Sequence, residues 1–336
     1  MKKKVLFVLS LGLIAGVLSG CSSNDDQAQD VSEITIYSGR SEEYFTPFTE
    51  WEEKTGIKVN IRYGDSAELA AQILEEGTNS PADLFLSQDA GSLGAISQAG
   101  LFATLPDDIG VDIPSKFIAE DRSWIGVTGR TRVFAYNPVK VSVLPQSVTN
   151  LTQAKYRNQV GIAPSNASFQ AFISGLINAK GEAAAQKWLN DMKANGVKIY
   201  PKNSAIVEAI DKGEISIGLV NHYYVWEVTE SLGREINAKI GFFAPGDIGN
   251  MVNVSGIGSL ASSAKQSAAQ DFINFLTTAA VQKEFVSQSF EYSLLPDAIP
   301  PVGLLTLEAV GAPAVDLASL KDVQRTQDLL VKVGLL

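Results

Sequence analysis

Residues 34–86 alternate strand, helix, strand, helix and strand signals, and this order constrains the fold more than any other feature. Ile34-Thr35-Ile36-Tyr37 reads as a strand closed by a turn at Ser38-Gly39-Arg40. Residues 42–54 have a helical pattern, with Tyr44, Phe45, Phe48 and Trp51 as apolar contacts, and Gly56 ends it. Residues 57–61 alternate as a second strand. Ser66 is placed to N-cap a second helix that has Glu68 in its first turn and runs to Gly77. Leu84-Phe85-Leu86 is a short buried strand. This is the doubly wound α/β arrangement, in which ligands bind beyond the carboxyl ends of the strands.

The pattern continues through strands at 133–136, where the chain could cross between lobes, at 160–163 and at 215–220. A single late helix is expected over 272–285. The roughly 300 residues after the N-terminal segment are many for one core and suggest two domains.

The first residues bear on location. Lys2, Lys3 and Lys4 precede an apolar stretch at 5–17 that is too short to span a bilayer, and Leu18-Ser19-Gly20-Cys21 follows. Residues 1–20 read as a signal peptide. The tetrad resembles a bacterial lipobox, which implies cleavage before Cys21, a lipidated Cys21 and a flexible tether through 32. A lipid there holds the protein at a membrane surface, at the cell surface or in the periplasm. Cys21 is the only cysteine, so no disulfide framework or thiol nucleophile is available. A net charge of −10 argues against nucleic acid. One histidine and no hydrolase, zincin or P-loop motif leave little from which to build an enzyme.

The residues that carry chemistry come late in the chain. Asn221-His222-Tyr223-Tyr224 follows a strand, and phenolate oxygens suit a small, highly charged cation such as ferric iron. The same pair would also serve as a core contact. Two adjacent tyrosines reach one ion only where the backbone is neither regular strand nor mid-helix. Ser165-Asn166-Ala167-Ser168 opens a helix, and its amide groups either bind an anion or merely receive a cap. Arg130 and Arg132 in Gly-Arg-Thr-Arg could grip an anion or form surface salt bridges. Asn203 and Asn221 are polar contacts or turn residues.

Taken in order, several segments resemble the ferric-iron-binding proteins of bacterial ABC importers, the transferrin-like group. They are Tyr-Ser-Gly-Arg at 37–40, Glu-Glu-Gly at 75–77, Ser-Pro-Ala-Asp at 80–83, Gly-Arg-Thr-Arg-Val at 129–133, Lys-Asn-Ser at 202–204 and Asn-His-Tyr-Tyr at 221–224. The resemblance implies a two-lobed, Venus-flytrap fold of the periplasmic-binding-protein kind. Each lobe would be a mainly parallel sheet flanked by helices, with the ligand cleft between them. The N-terminal lobe would comprise 33–131 and about 252–303, and the C-terminal lobe 132–251 and about 304–336. It implies ferric iron (Fe3+) on Tyr223 and Tyr224, and a synergistic anion, carbonate, bicarbonate or phosphate. Arg130, Arg132, Asn166, Ala167, Ser168, Asn203 and Asn221 would surround that anion. The implied partners are an ABC permease and its ATPase, with the binding protein a monomer.

Two positions depart from the family pattern. Ser41 and Glu42 stand where many members carry a histidine ligand, and Gln88, followed by Asp89, stands where some carry a glutamate. Glu42 or Asp89 could bind instead, the anion and water could fill the gap, or the metal could sit mostly on one lobe. Tyr37 and Tyr44 are further candidates that also fit a core. His222 falls at a position that is not a ligand in the family. The departures keep open other cargoes on the same fold: an organic cation, a phosphonate, a thiamine-like molecule or an oxyanion.

Overall fold

A computed structural model describes residues 31–40 and 46–336. The expected signal peptide, Cys21 and its tether, and Ser41, Glu42 and Tyr44 lie outside the described residues.

The opening alternation folds as β1 (Glu33–Ser38), α1 (Thr46–Thr55), β2 (Lys58–Tyr63), α2 (Ser66–Glu76), β3 (Leu84–Ser87) and α3 (Ala90–Gln98). Strand β1 pairs in parallel with β2 on one side and β3 on the other. All four residues of β3 are buried, as a strand covered on both faces requires. Helix α1 packs inward through Phe48 and Trp51. The Trp51 ring meets Phe272 edge-on at 5.1 Å while its indole N–H donates to Asp271, 3.2 Å away. An apolar body is thus buried without orphaning its polar atom.

The chain continues as β4 (Ile125–Tyr136), β5 (Val160–Ile162), α4 (Ala167–Lys180), α5 (Glu182–Ala194), β6 (Lys198–Ile199), α6 (Asn203–Asp211), β7 (Ile217–Asn221), α7 (Tyr224–Leu232) and β8 (Lys239–Gly241). It ends with β9 (Val252–Ser259), α8 (Gln266–Leu276), α9 (Ala279–Ser289), β10 (Tyr292–Ser293), α10 (Leu307–Val310) and α11 (Val323–Lys332).

The strands follow the order β2-β1-β3-β9-β4-β7-β5-β6, with β8 and β10 also on β4. The outer pairings are parallel, and those that reach β4 and β9 are antiparallel. Strand β4 holds the two groups of strands together. Its residues through Thr131 pair with β9, and from Arg132 onward they pair with β7.

Two local expectations are corrected. Asp65, not Ser66, caps α2, accepting from the Ala67 and Glu68 amides. Ser66 is instead the first helical residue, and its hydroxyl accepts from the Gln88 amide at 2.9 Å. The single late helix is two, α8 and α9. The Thr277 and Thr278 hydroxyls bond back to the Asn274 and Phe275 carbonyls, and Thr278 turns extended to start α9. Among the described residues no helix is long and apolar enough to cross a membrane.

Candidate metal and anion site

A polar cleft of about 400 Å³ collects most of the residues singled out above; Arg132 and Asn203 stand behind its wall and are not among its lining residues. Tyr223, Tyr224, Asn221, Arg130, Asn166, Ala167, Ser168 and Gln88 all line it. A larger cavity of about 590 Å³ lies between α9 and residues 295–302, but its walls are largely apolar and offer no donor set for a hard cation.

The tyrosine segment begins where β7 ends. Tyr223 stands at φ −68°, ψ −20° and Tyr224 opens α7, so both rings leave the chain before a full helical turn separates them. Their centroids are 4.6 Å apart, with the planes tilted by 39°. Asn221 fixes one phenol: its Nδ2 donates to the Tyr223 hydroxyl at 3.1 Å. Burial raises the Tyr223 phenol well above its ordinary value, and a charge on Tyr224 would raise it further. Arg130 and the Asn221 hydrogen bond act in the opposite direction. Only a strong Lewis acid would hold such a phenol ionised near neutrality.

The anion residues lie behind and beside the pair. Asn166 caps α4, its Oδ1 accepting from the Ser168 amide at 3.1 Å, from the Ser168 hydroxyl, and from Asn203 Nδ2 at 3.0 Å. Asn203 does not line the cleft but braces this helix start from the first residue of α6. Arg132 Nη1 donates to Ser168 Oγ at 3.1 Å and to Asn221 Oδ1 at 3.0 Å, joining the helix start to the tyrosine segment.

Both arginines are buried, 5% exposed at Arg130 and 3% at Arg132, so the surface-salt-bridge reading is overturned. Arg132 has no carboxylate partner among the described residues, and its Nε and Nη2 have no hydrogen-bond acceptor. Burial pushes its guanidinium down to about 10. Two orphaned donors on a buried cation leave a hydrogen-bonding debt that an oxyanion would satisfy. Arg130 differs. It lies 4.0 Å from Glu291, which also pairs with Arg40 at 2.9 Å and accepts from Thr128 at 2.6 Å. Burial pushes the Glu291 carboxyl up, but Arg40, Arg130 and Thr128 outweigh it and hold the group below its ordinary value.

The facing wall holds Gly39, Asp65, Ser66, Gln88 and Asp89. A Cβ on Gly39 would fall 2.0 Å from Ser66 Oγ, so the turn after β1 closes onto α2 only with glycine there. Asp89 caps α3 from the Ser92 amide at 2.8 Å. Asp65, Ser66 and Gly39 were not anticipated as cleft residues, although they follow the carboxyl ends of β1 and β2. Gln170 and Gln327 also line the cleft with no local sequence signal. Tyr37 is a core residue, 3% exposed, whose hydroxyl lies 3.0 Å from Glu76.

His222 points away from the cleft and is wholly buried. Its Nδ1 accepts from the Thr131 amide at 3.2 Å, so Nε2 carries the proton and donates to the Phe290 carbonyl at 2.7 Å. Burial pushes the imidazole down to about 4. Among the described residues no group of three or more His, Cys, Asp and Glu side chains is placed to hold a metal.

Residues 79–305 match the model of the bacterial extracellular solute-binding protein family. The Fe(3+)-binding periplasmic protein of Serratia marcescens is 34% identical over 308 residues, covering 90% of this chain and 90% of the relative. Iron-bound HitA from Pseudomonas aeruginosa superposes with a TM-score of 0.82 at 32% identity, covering 90% of this chain and 99% of the other. The Trichodesmium protein IdiA (FutA), in complex with iron and citrate ligands, gives 0.80 at 26%, with the same coverage. The architecture is the two-lobed periplasmic-binding-protein fold.

Proposed function

Because the chain belongs to the bacterial extracellular solute-binding protein family, we propose that it captures ferric iron together with a synergistic oxyanion and delivers the iron to an ABC permease and its ATPase. The observation that carries this reading is the pair Tyr223 and Tyr224, 4.6 Å apart in a polar cleft beside Arg132, a buried cation with two unsatisfied donors. In this reading the two phenolates hold the ion. The oxyanion, carbonate, bicarbonate or phosphate, fills further coordination positions and satisfies Arg132, with Ser168 and Arg130 beside it. Asn221 aligns Tyr223, and Asn166 and Asn203 hold the helix start.

The lobes of this proposal are 33–131 with about 252–303, and 132–251 with about 304–336. They close about β4 and bring Gln88 and Asp89 toward the tyrosines. The metal rests mainly on the tyrosine wall, with anion and water completing its shell. Lipidation at Cys21 anchors the monomer to a membrane. The other cargoes considered from the sequence are not favoured, since the relatives that cover nine-tenths of the chain at more than 30% identity are named for iron.

Calorimetric titration with ferric ion, in bicarbonate and in its absence, tests the reading. Tight binding that weakens without an oxyanion is expected. No heat with iron, but saturable heat with an organic cation or a phosphonate, would overturn it.

A further inference from the structure

We infer that His222 is a positioning residue for the tyrosine pair, tying it to the end of α9 across the point where β4 changes partners. The inference rests on the ferric reading of Tyr223 and Tyr224. Its basis is geometric. His222 follows Asn221, whose backbone pairs with Arg132 in the second half of β4. Its imidazole instead accepts from the amide of Thr131, the last residue of the first half. The other ring nitrogen donates to the carbonyl of Phe290, immediately after α9. Helix α9 itself belongs with the first half of β4, since Gln282 Nε2 donates to the Val127 carbonyl. One neutral side chain therefore spans the two groups of strands while its neighbour carries a proposed metal ligand.

The surroundings leave that side chain no alternative. Its ring lies 4.9 Å from Tyr292 and edge-on to Tyr223 at 5.4 Å. Phe290 sits at φ 55° as the left-handed residue that ends α9, its amide bonded to the Val286 carbonyl, a conformation that a bulky side chain adopts only where its surroundings hold it. Beyond that cap, two contacts hold it: the His222 bond to its carbonyl, and the stacking of its ring on Trp226 of α7 at 5.8 Å and 11°. Both come from the tyrosine segment. With Phe290 held in this way, the bonds of His222 to Thr131 and Phe290 fix the direction from which the phenol of Tyr223 enters the cleft.

Three substitutions separate this role from general packing. His222→Phe fills the space and removes both hydrogen bonds. His222→Asn places an amide oxygen near Nδ1 and keeps the bond from Thr131, whereas His222→Gln places an amide nitrogen near Nε2 and keeps the bond to Phe290. Ferric affinity and the phenolate-to-iron absorption band are measured on each variant with bicarbonate, alongside thermal unfolding of the iron-free protein. Removing a group that orients a metal ligand typically costs about 10–100-fold in affinity. His222→Phe is expected to lose that much and to shift or broaden the band at saturating iron. Asn and Gln should each recover part of the affinity and the wild-type band position.

Wild-type affinity and band in a folded His222→Phe would overturn the inference. Losses that simply track unfolding temperature across all three variants, with the saturated band unmoved, would overturn it as well. Failure of the wild-type protein to develop the band at all would instead refute the ferric reading beneath it.

Discussion

The two walls of the cleft are built for different tasks. The wall carrying Tyr223 and Tyr224 is bound together before any ligand arrives: Arg132 joins Ser168 to Asn221, Asn221 holds the Tyr223 hydroxyl, and Asn203 braces Asn166. It is also unsatisfied, because Arg132 keeps two buried donors without acceptors. The facing wall is more fully engaged in its own helix starts. Asp65 and Asp89 spend carboxylate oxygens on the first amides of α2 and α3, and Ser66 receives the Gln88 amide. In the proposed function the preorganised wall, with its unsatisfied buried donors, would bind first, and the facing wall would close over what has been bound. Preorganisation of this kind reduces the ordering cost of capture.

The comparison breaks most readily at the tyrosines. Tyr223→Phe or Tyr224→Phe should weaken ferric binding at least about a hundredfold, roughly 2.8 kcal/mol, in a competition titration against a chelator. An equal loss on Asp89→Asn, which preserves the α3 cap, would show instead that both walls hold the metal.

A comparable or larger effect, on stability rather than on binding, is expected at the buried charges beside Arg130. Glu291→Gln leaves Arg40 and Arg130 buried beside a neutral amide, and denaturant unfolding should show a loss of about 3–5 kcal/mol. Because the folded Glu291 carboxyl titrates below its unfolded value, its contribution is full above the unfolded value and disappears as pH falls through the folded one. The variant should therefore show a flatter stability profile on the acid side than the parent.

Arg132→Met should have the opposite balance. It removes a buried charge that has no counter-ion, so it should cost less stability than Glu291→Gln while abolishing the dependence of iron binding on bicarbonate. The smallest effect is expected on the facing wall. Asp89→Ala should cost about 1 kcal/mol of stability through the lost cap and change iron affinity little.

Much of this was legible in the sequence. The strand–helix alternation over residues 34–86 gave the doubly wound α/β order, because hydrophobic period and capping residues are local signals, while the two lobes came from the resemblance. Tyr223 and Tyr224 were legible as an unusual donor pair placed after a strand. The departures from that reading have physical causes. Asp65 and Ser66 both make good caps, and only the contact of Ser66 with Gln88 decides between them. The break at Thr277-Thr278 depends on hydroxyls turning back to the chain. The burial of Arg130 and Arg132 could not be read at all, since β4 is covered by strands distant in sequence. His222 was visible as the sole histidine, beside the tyrosines and at a position that is not a ligand in the family; the role inferred for it rests on Thr131 and Phe290, 91 and 68 residues away.

The central claim is that two phenolates capture ferric iron with the help of an anion, and the visible absorption spectrum tests it most directly. Titrating the protein with a ferric salt in bicarbonate should produce an intense phenolate-to-iron band that saturates at one ion per chain. The band should weaken when every oxyanion is removed and largely vanish in Tyr223→Phe. A solution that stays colourless through the titration, or an undiminished band in Tyr223→Phe, would contradict it.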